Sequence, residues 1–139
     1  MKTYFDHEKL DVYREAIAFC GWVGELLAEI GTKAAGKDQL DRASTSLPLN
    51  IAEGNGKFST VDRASFLEIA RGSALECAAC LDVLEVRKLV AAERIVPAKE
   101  KLVRIVNMLM GMLKRFSGRA KFLREDKGLY AIEHEQEYE

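Results

Sequence analysis

Leu10, Tyr13, Ile17, Cys20, Gly24 and Leu27 step along the chain by threes and fours. A second ladder, Val12, Ala16, Phe19, Val23, Leu26 and Ile30, runs beside the first. Both have the period of an α-helix. Together they cover about 200° of its circumference, roughly twice the width of a core-facing stripe. Three further stretches repeat with a period of about 3.5 to 3.6, and none alternates with period two for long enough to demand a strand. The chain therefore reads as all-α, with more apolar surface than one small core uses.

The first helix is expected over about residues 9–30, with Gly31 of "GTKAAGKD" in the stop position. The second is expected over 38–53, ending at "GNG", where Gly54 or Gly56 supplies the left-handed backbone of a stop. Pro48 falls inside it. Its ring removes one amide donor and crowds the carbonyl of Ser44, while Ser44, Thr45 and Ser46 carry hydroxyls that bond local backbone. The apolar pattern of Leu40, Ala43 and Leu47 resumes in phase at Ile51, which predicts a kinked helix and not a broken one.

The third helix is expected over 60–88, with Ser59 or Thr60 as N-cap and Asp62 near its positive end. Phe66, Ile69, Ala70, Ser73, Cys77, Cys80 and Leu84 form its expected core stripe. On another side, Ser65, Gly72 and Ala79 are spaced by seven. A mid-helix glycine costs about 1 kcal/mol against alanine, a loss that close approach of another backbone offsets. The fourth helix is expected over 97–117, with Pro97 in its first turn. Its stripe is Ile95, Ala98, Leu102, Ile105, Leu109, Met112 and Phe116, widened by Val103, Val106, Met110 and Leu113.

A chain of 139 residues fits one domain. Four helices with short connections pack as an antiparallel, up-down-up-down four-helix bundle, here residues 1–118, followed by a basic-then-acidic tail over 119–139 expected to be partly disordered. A monomeric bundle needs one stripe per helix. The surplus on helices one and four, with the small-residue column on helix three, predicts a homo-oligomer.

No apolar run approaches the roughly 18 residues of a membrane span, and the polar start is unlike a signal peptide. Cys20, Cys77 and Cys80 are odd in number and fall on core positions, which fits a reducing, cytoplasmic setting. Cys77-Ala-Ala-Cys80 lacks a second half-site, and His7 and His134 lie near the ends, so no metal and no cofactor is expected. No nucleophile elbow, HExxH or Walker loop occurs. Glu53, Glu68 and Glu76 with Arg42 and Arg71 read as interhelical ion pairs, Arg71 with its planar fork best suited to Glu53. No enzymatic activity is expected.

The formal net charge of -1 hides an asymmetry. Eight Lys/Arg against one acid lie between Lys99 and Arg124, then six acids against one lysine from Glu125 to the end. Lys101, Arg104, Arg115, Arg119 and Lys121 form the candidate surface for RNA or DNA, multiplied if the chain forms a ring. Only Phe116 and Phe122 lie near it to stack on bases, so contact to the phosphate backbone is expected instead of base readout. Trp22, beside Glu15 and Glu25, is a candidate anchor for a partner protein.

Three segments, "FDHEKLDVYREA" (5–16), "QLDRASTSLPLNIAEGNGK" (39–57) and "FLEIARGSALE" (66–76), resemble in order and spacing the signature of the bacterial 23S rRNA intervening-sequence proteins, also called ribosomal S23-like. The resemblance spans about residues 5–117. It implies a small helical bundle that forms a homopentameric ring. It also implies distant kinship with the accessory protein of diversity-generating retroelements, which binds a reverse transcriptase and nucleic acid. Arg42, Pro48, Asn50, Glu53, Gly54, Arg71, Gly72, Ser73 and Glu76 match the motif, and the resemblance gives them structural, not catalytic, roles. Arg42, Asn50 and Glu53 are then expected to face helix three or a neighbouring subunit, with Arg71 and Glu76 as counterparts.

Overall fold

The computed structural model describes residues 2–31 and 36–116. A 3-10 turn, Asp6–Lys9, precedes four helices: α1 (Asp11–Glu29), α2 (Lys37–Gly56), α3 (Thr60–Val86) and α4 (Ala92–Lys114). α1 packs on α2, α2 on α3, α3 on α4, and α4 returns to α1. Among the described residues neither diagonal pair brings its backbones together, and the side chains of all four helices fill one shared core between them. Phe19 and Leu26 meet Leu40, Leu47 and Ile51 there, with Leu67, Leu81 and Leu84 from α3 and Ile105, Leu109 and Leu113 from α4. This layer excludes water from all four helices at once, the dominant favourable term in their folding.

The two ladders of α1 have different fates. Val12, Ala16, Phe19, Val23, Leu26 and Ile30 are buried, together with Leu27. Ile17 and Gly24 of the other ladder are exposed, and Leu10, Tyr13 and Cys20 are half-buried. The expected core of α3 needs correction. Ala64, Leu67, Ala74 and Leu81 join Ala70, Cys77, Cys80 and Leu84 inside, whereas Ile69 is exposed and Phe66 and Ser73 are half-buried. Two alanines point inward where α3 lies close to its neighbours, and small size does not mark them as core in a sequence.

Helix boundaries follow local chemistry. The Ser59 hydroxyl accepts from the Asp62 amide at 3.0 Å, the cap that the sequence predicted. α3 stops two residues before the expected 88. Lys88 takes a left-handed backbone (φ 61°), Leu89 N donates to Leu84 O, and Lys88 N donates to Glu85 O, both at 2.9 Å. That is a Schellman stop with lysine where glycine is usual. α4 begins five residues earlier than expected, at Ala92, which puts Pro97 at its sixth position. The carbonyl deprived of a donor there belongs to Glu93, on an exposed turn open to solvent. α2 continues through Gly54 and Gly56, neither of them left-handed; the left-handed glycine is Gly36 (φ 92°), just before α2.

Candidate functional site

α2 remains continuous across Pro48, which is itself buried. The carbonyl four residues earlier, on Ser44, has lost its helical donor to the proline ring. Cys20 of α1 fills that vacancy: its Sγ donates to Ser44 O at 3.0 Å. The Cys20 thiol is pushed above its ordinary range, first by burial and then by the charge of Asp41, which keeps it a neutral donor. Around the proline, side chains fold back on the helix. Ser44 Oγ and Thr45 Oγ1 donate to Asp41 O at 3.0 and 2.8 Å. Asn50 Nδ2 donates to Ser46 O at 2.8 Å and to Ser46 Oγ at 2.9 Å.

Within one subunit the polar residues of the sequence motif divide between their own helix, the α2–α3 contact and the exposed outer face. Asn50 is spent on its own helix. Two other bonds link α2 to α3: Ser73 Oγ donates to Ser46 Oγ at 2.9 Å, and Gln39 Nε2 donates to Glu76 Oε1 at 3.2 Å. Arg71 pairs with Glu68 at 3.2 Å on its own helix, instead of the expected Glu53. Three residues separate the two on one helix face, so the pair forms without any interhelical alignment. Arg42 and Glu53 lie exposed on the outer face of α2, around a shallow depression that also includes Leu49. Gly54 serves packing: a Cβ there would lie 3.1 Å from Phe66 Cβ and 3.3 Å from Arg63 O. Gly72 faces outward with nothing within 4 Å of where its Cβ would be.

The basic stripe of α4 is narrower than its residue count. Lys101 Nζ pairs with Glu15 Oε2 on α1 at 3.1 Å, their side chains 29% and 31% exposed. Lys99 pairs with Asp82 at 2.6 Å, and Arg94 pairs with Glu29. Arg104, Lys114 and Arg115 are exposed and make no ion pair among the described residues. Arg119 and Lys121 lie outside the described residues. Sequence reasoning missed these pairings because their acids sit on α1 and α3, 17 to 86 residues away.

The other candidates resolve toward packing. Cys77 and Cys80 are buried, and burial, first among the causes, pushes the Cys77 thiol up to about 12. A thiol held protonated is a poor nucleophile and a poor metal ligand. Among the described residues no group of three or more His, Cys, Asp or Glu is placed to hold a metal ion. Trp22 is half-buried and stacks on Phe19 with centroids 5.9 Å apart. No helix among the described residues is long and apolar enough to cross a membrane.

A groove of about 610 Å³ runs between α3 and α4, walled by Leu75, Ala78, Ala79, Val96 and Val103, with the Lys99–Asp82 pair at its side. Leu75 and Val96 are each about half exposed.

Comparison with known proteins agrees on one family. The model of the 23S rRNA-intervening sequence protein family matches residues 8–111. A crystal structure of a protein of unknown function from the S23 ribosomal protein family of Bacteroides thetaiotaomicron superposes with a TM-score of 0.70 at 22% identity. The likeness covers 74% of this chain and 98% of that one, and at that identity it shows the fold alone. No curated protein matches the sequence.

Proposed function

Because the chain belongs to the 23S rRNA-intervening sequence protein family, we propose that it is a non-enzymatic scaffold. In this reading the helices run up-down-up-down, copies assemble into a ring-like homo-oligomer of five, and the ring touches RNA or DNA backbone weakly. The helix order is supported by one small cavity lined by Leu10 just before α1, Gly54 near the end of α2, Arg63 at the start of α3 and Met112 near the end of α4. Assembly rests on one observation. Ile17, Ile69, Leu75 and Val96 lie within helices yet each stays close to half exposed, and Leu75 and Val96 share the groove between α3 and α4, a contiguous apolar surface that a second copy would cover.

Nucleic-acid contact is assigned to Arg104 and Arg115, joined by Lys114, with Arg119 and Lys121 beyond the described residues. Lys101 is excluded from the leading set because Glu15 already neutralises it. Few cations per subunit mean weak binding, multiplied by copy number and steeply reduced by salt. Light scattering and filter binding test the two halves separately. A monomeric mass in dilute solution overturns the assembly. RNA retention that is absent at low salt, or indifferent to Arg104→Glu with Arg115→Glu, overturns the contact.

A second reading, an adaptor for a nucleic-acid enzyme such as a reverse transcriptase, is favoured by the α3–α4 groove and not by Trp22, whose ring is occupied against Phe19. Co-purification of such an enzyme, lost when Leu75 and Val96 become charged, would favour it.

A further inference from the structure

We propose that Arg63 and Arg115 form a site for a phosphate oxyanion at one end of the bundle. For the source of that phosphate the proposal rests on the nucleic-acid reading above. The site is a cavity of about 170 Å³. Its polar lining residues are Arg63, Arg115 and Asn55, and its apolar walls come from Leu67, Met112 and Phe116. Among the described residues no carboxylate lines it.

Two arginines lining one cavity raise its positive potential, and neighbouring apolar walls strengthen that field. Ordinary packing answers such a pair with an acid. Here none is supplied by the lining, and an anion from outside meets the need. Arg63 is already oriented for it. Its Nε donates to Lys57 O at 2.6 Å, which fixes the plane of the guanidinium. Among the described residues its Nη groups have no hydrogen-bond or ion-pair partner. A planar fork with both Nη free is the geometry that grips two oxygens of a phosphate. Asn55 is held in turn, its Nδ2 donating to Asp6 Oδ2 at 3.0 Å.

Size limits what enters. Sites for whole small molecules usually measure about 300–1,000 Å³. A cavity of about 170 Å³ takes one compact group and leaves the rest of its carrier outside. A terminal phosphate on a nucleic-acid strand fits this description, as does free phosphate. A phosphate inside a strand carries ester groups on both sides and fits less well.

The test uses three probes on the full chain: inorganic phosphate, a short oligoribonucleotide with a 5′-phosphate, and the same strand with a 5′-hydroxyl. Expected is tighter binding of the 5′-phosphorylated strand by about 10-fold, the value of one charge-assisted hydrogen bond. The preference should vanish in Arg63→Gln and in Arg115→Gln and survive Arg87→Gln, at an exposed arginine just after α3. Arg115→Gln leaves the Lys57 contact intact, so it reports even if Arg63→Gln folds poorly. Equal binding of both strands that is still lost in the Arg63 and Arg115 variants supports the site and assigns it to backbone phosphate. Binding of inorganic phosphate alone, lost in the same variants, supports the site while removing the nucleic-acid reading. RNA binding of both strands that falls equally in Arg115→Gln and is unchanged in Arg63→Gln, with no phosphate binding, overturns the site and leaves the nucleic-acid reading standing. No binding of any probe overturns both.

Discussion

The thiol of Cys20 on α1 lies 3.0 Å from the carbonyl of Ser44 on α2, the carbonyl that Pro48 strips of its own helical donor. A proline inside a helix costs about 3 kcal/mol or more, partly through the unmet carbonyl. A neighbouring helix supplies the missing hydrogen here, so the irregularity in α2 and the packing of α1 depend on each other.

Replacing Cys20 by alanine should cost about 1–2 kcal/mol, from the lost donor and the lost contact. Replacing it by serine should cost less, because a donor remains. The stringent check is a double-mutant cycle with Pro48→Ala, which returns an amide to Ser44. In that background the Cys20→Ala penalty should shrink by at least about 0.5 kcal/mol in urea denaturation. An unchanged penalty would mean that the thiol acts only by filling space.

Cys77 links stability to alkaline pH. Burial raises its folded value to about 12, above the 9.0 of the exposed group. Below pH 9 both states keep the proton and the stabilisation is whole. Between about 9 and 12 the unfolded chain alone releases it, so stability declines, by up to about 1.4 kcal/mol per pH unit. Unfolding free energies at about pH 8 and pH 10 should show the fall. Cys77→Ala should lower both values and flatten the slope between them.

Gly54 and Gly72 should respond oppositely to alanine. At Gly54 the new methyl would press on Phe66 Cβ and Arg63 O, and overpacking of about 1–3 kcal/mol outweighs the helix gain of about 1 kcal/mol. At Gly72 nothing stands within 4 Å, so an isolated subunit should gain about 1 kcal/mol. If copies pack on this face, the same change should lower the assembled mass by light scattering while the melting point of the separated subunit rises.

Lys101→Glu and Arg104→Glu separate packing from binding. The first sets a second carboxylate against Glu15 at a site less than one-third exposed, and should destabilise by about 2 kcal/mol or more. The second alters an exposed face and should move stability by no more than about 0.5 kcal/mol. Only the second should reduce low-salt RNA retention without a change in the circular-dichroism melt. Equal melts for the two would show that the Glu15 pair contributes nothing.

Much of the architecture was legible because helices announce themselves by period and by their ends. The ladders of α1, the Ser59 cap and the persistence of α2 through Pro48 each follow from a local rule. Pairing is not local. The sequence suits Arg71 to Glu53 but it pairs with Glu68, and Lys101, on the candidate RNA or DNA surface by sequence, pairs with Glu15. Which of several acids a long side chain meets depends on the angle and rotation of neighbouring helices, and periodicity carries neither. The start of α4 was placed too late because Pro97 reads as a first-turn residue, although it is tolerated one turn further in. Arg63 drew no notice because one arginine beside a cap has no pattern. Only in the folded chain do it and Arg115 line one cavity.

Arg94, Lys99 and Lys101 are each cancelled by an acid from another helix, which leaves the uncancelled charge of α4 on its C-terminal half. The unpaired cations of α4, Arg104 and Lys114 with Arg115 just after it, lie toward one end of that helix. Any cyclic arrangement that stands its subunits with their helices along the symmetry axis would gather those cations toward one rim. A strand arriving at such a particle would be drawn to its mouth and not around its waist.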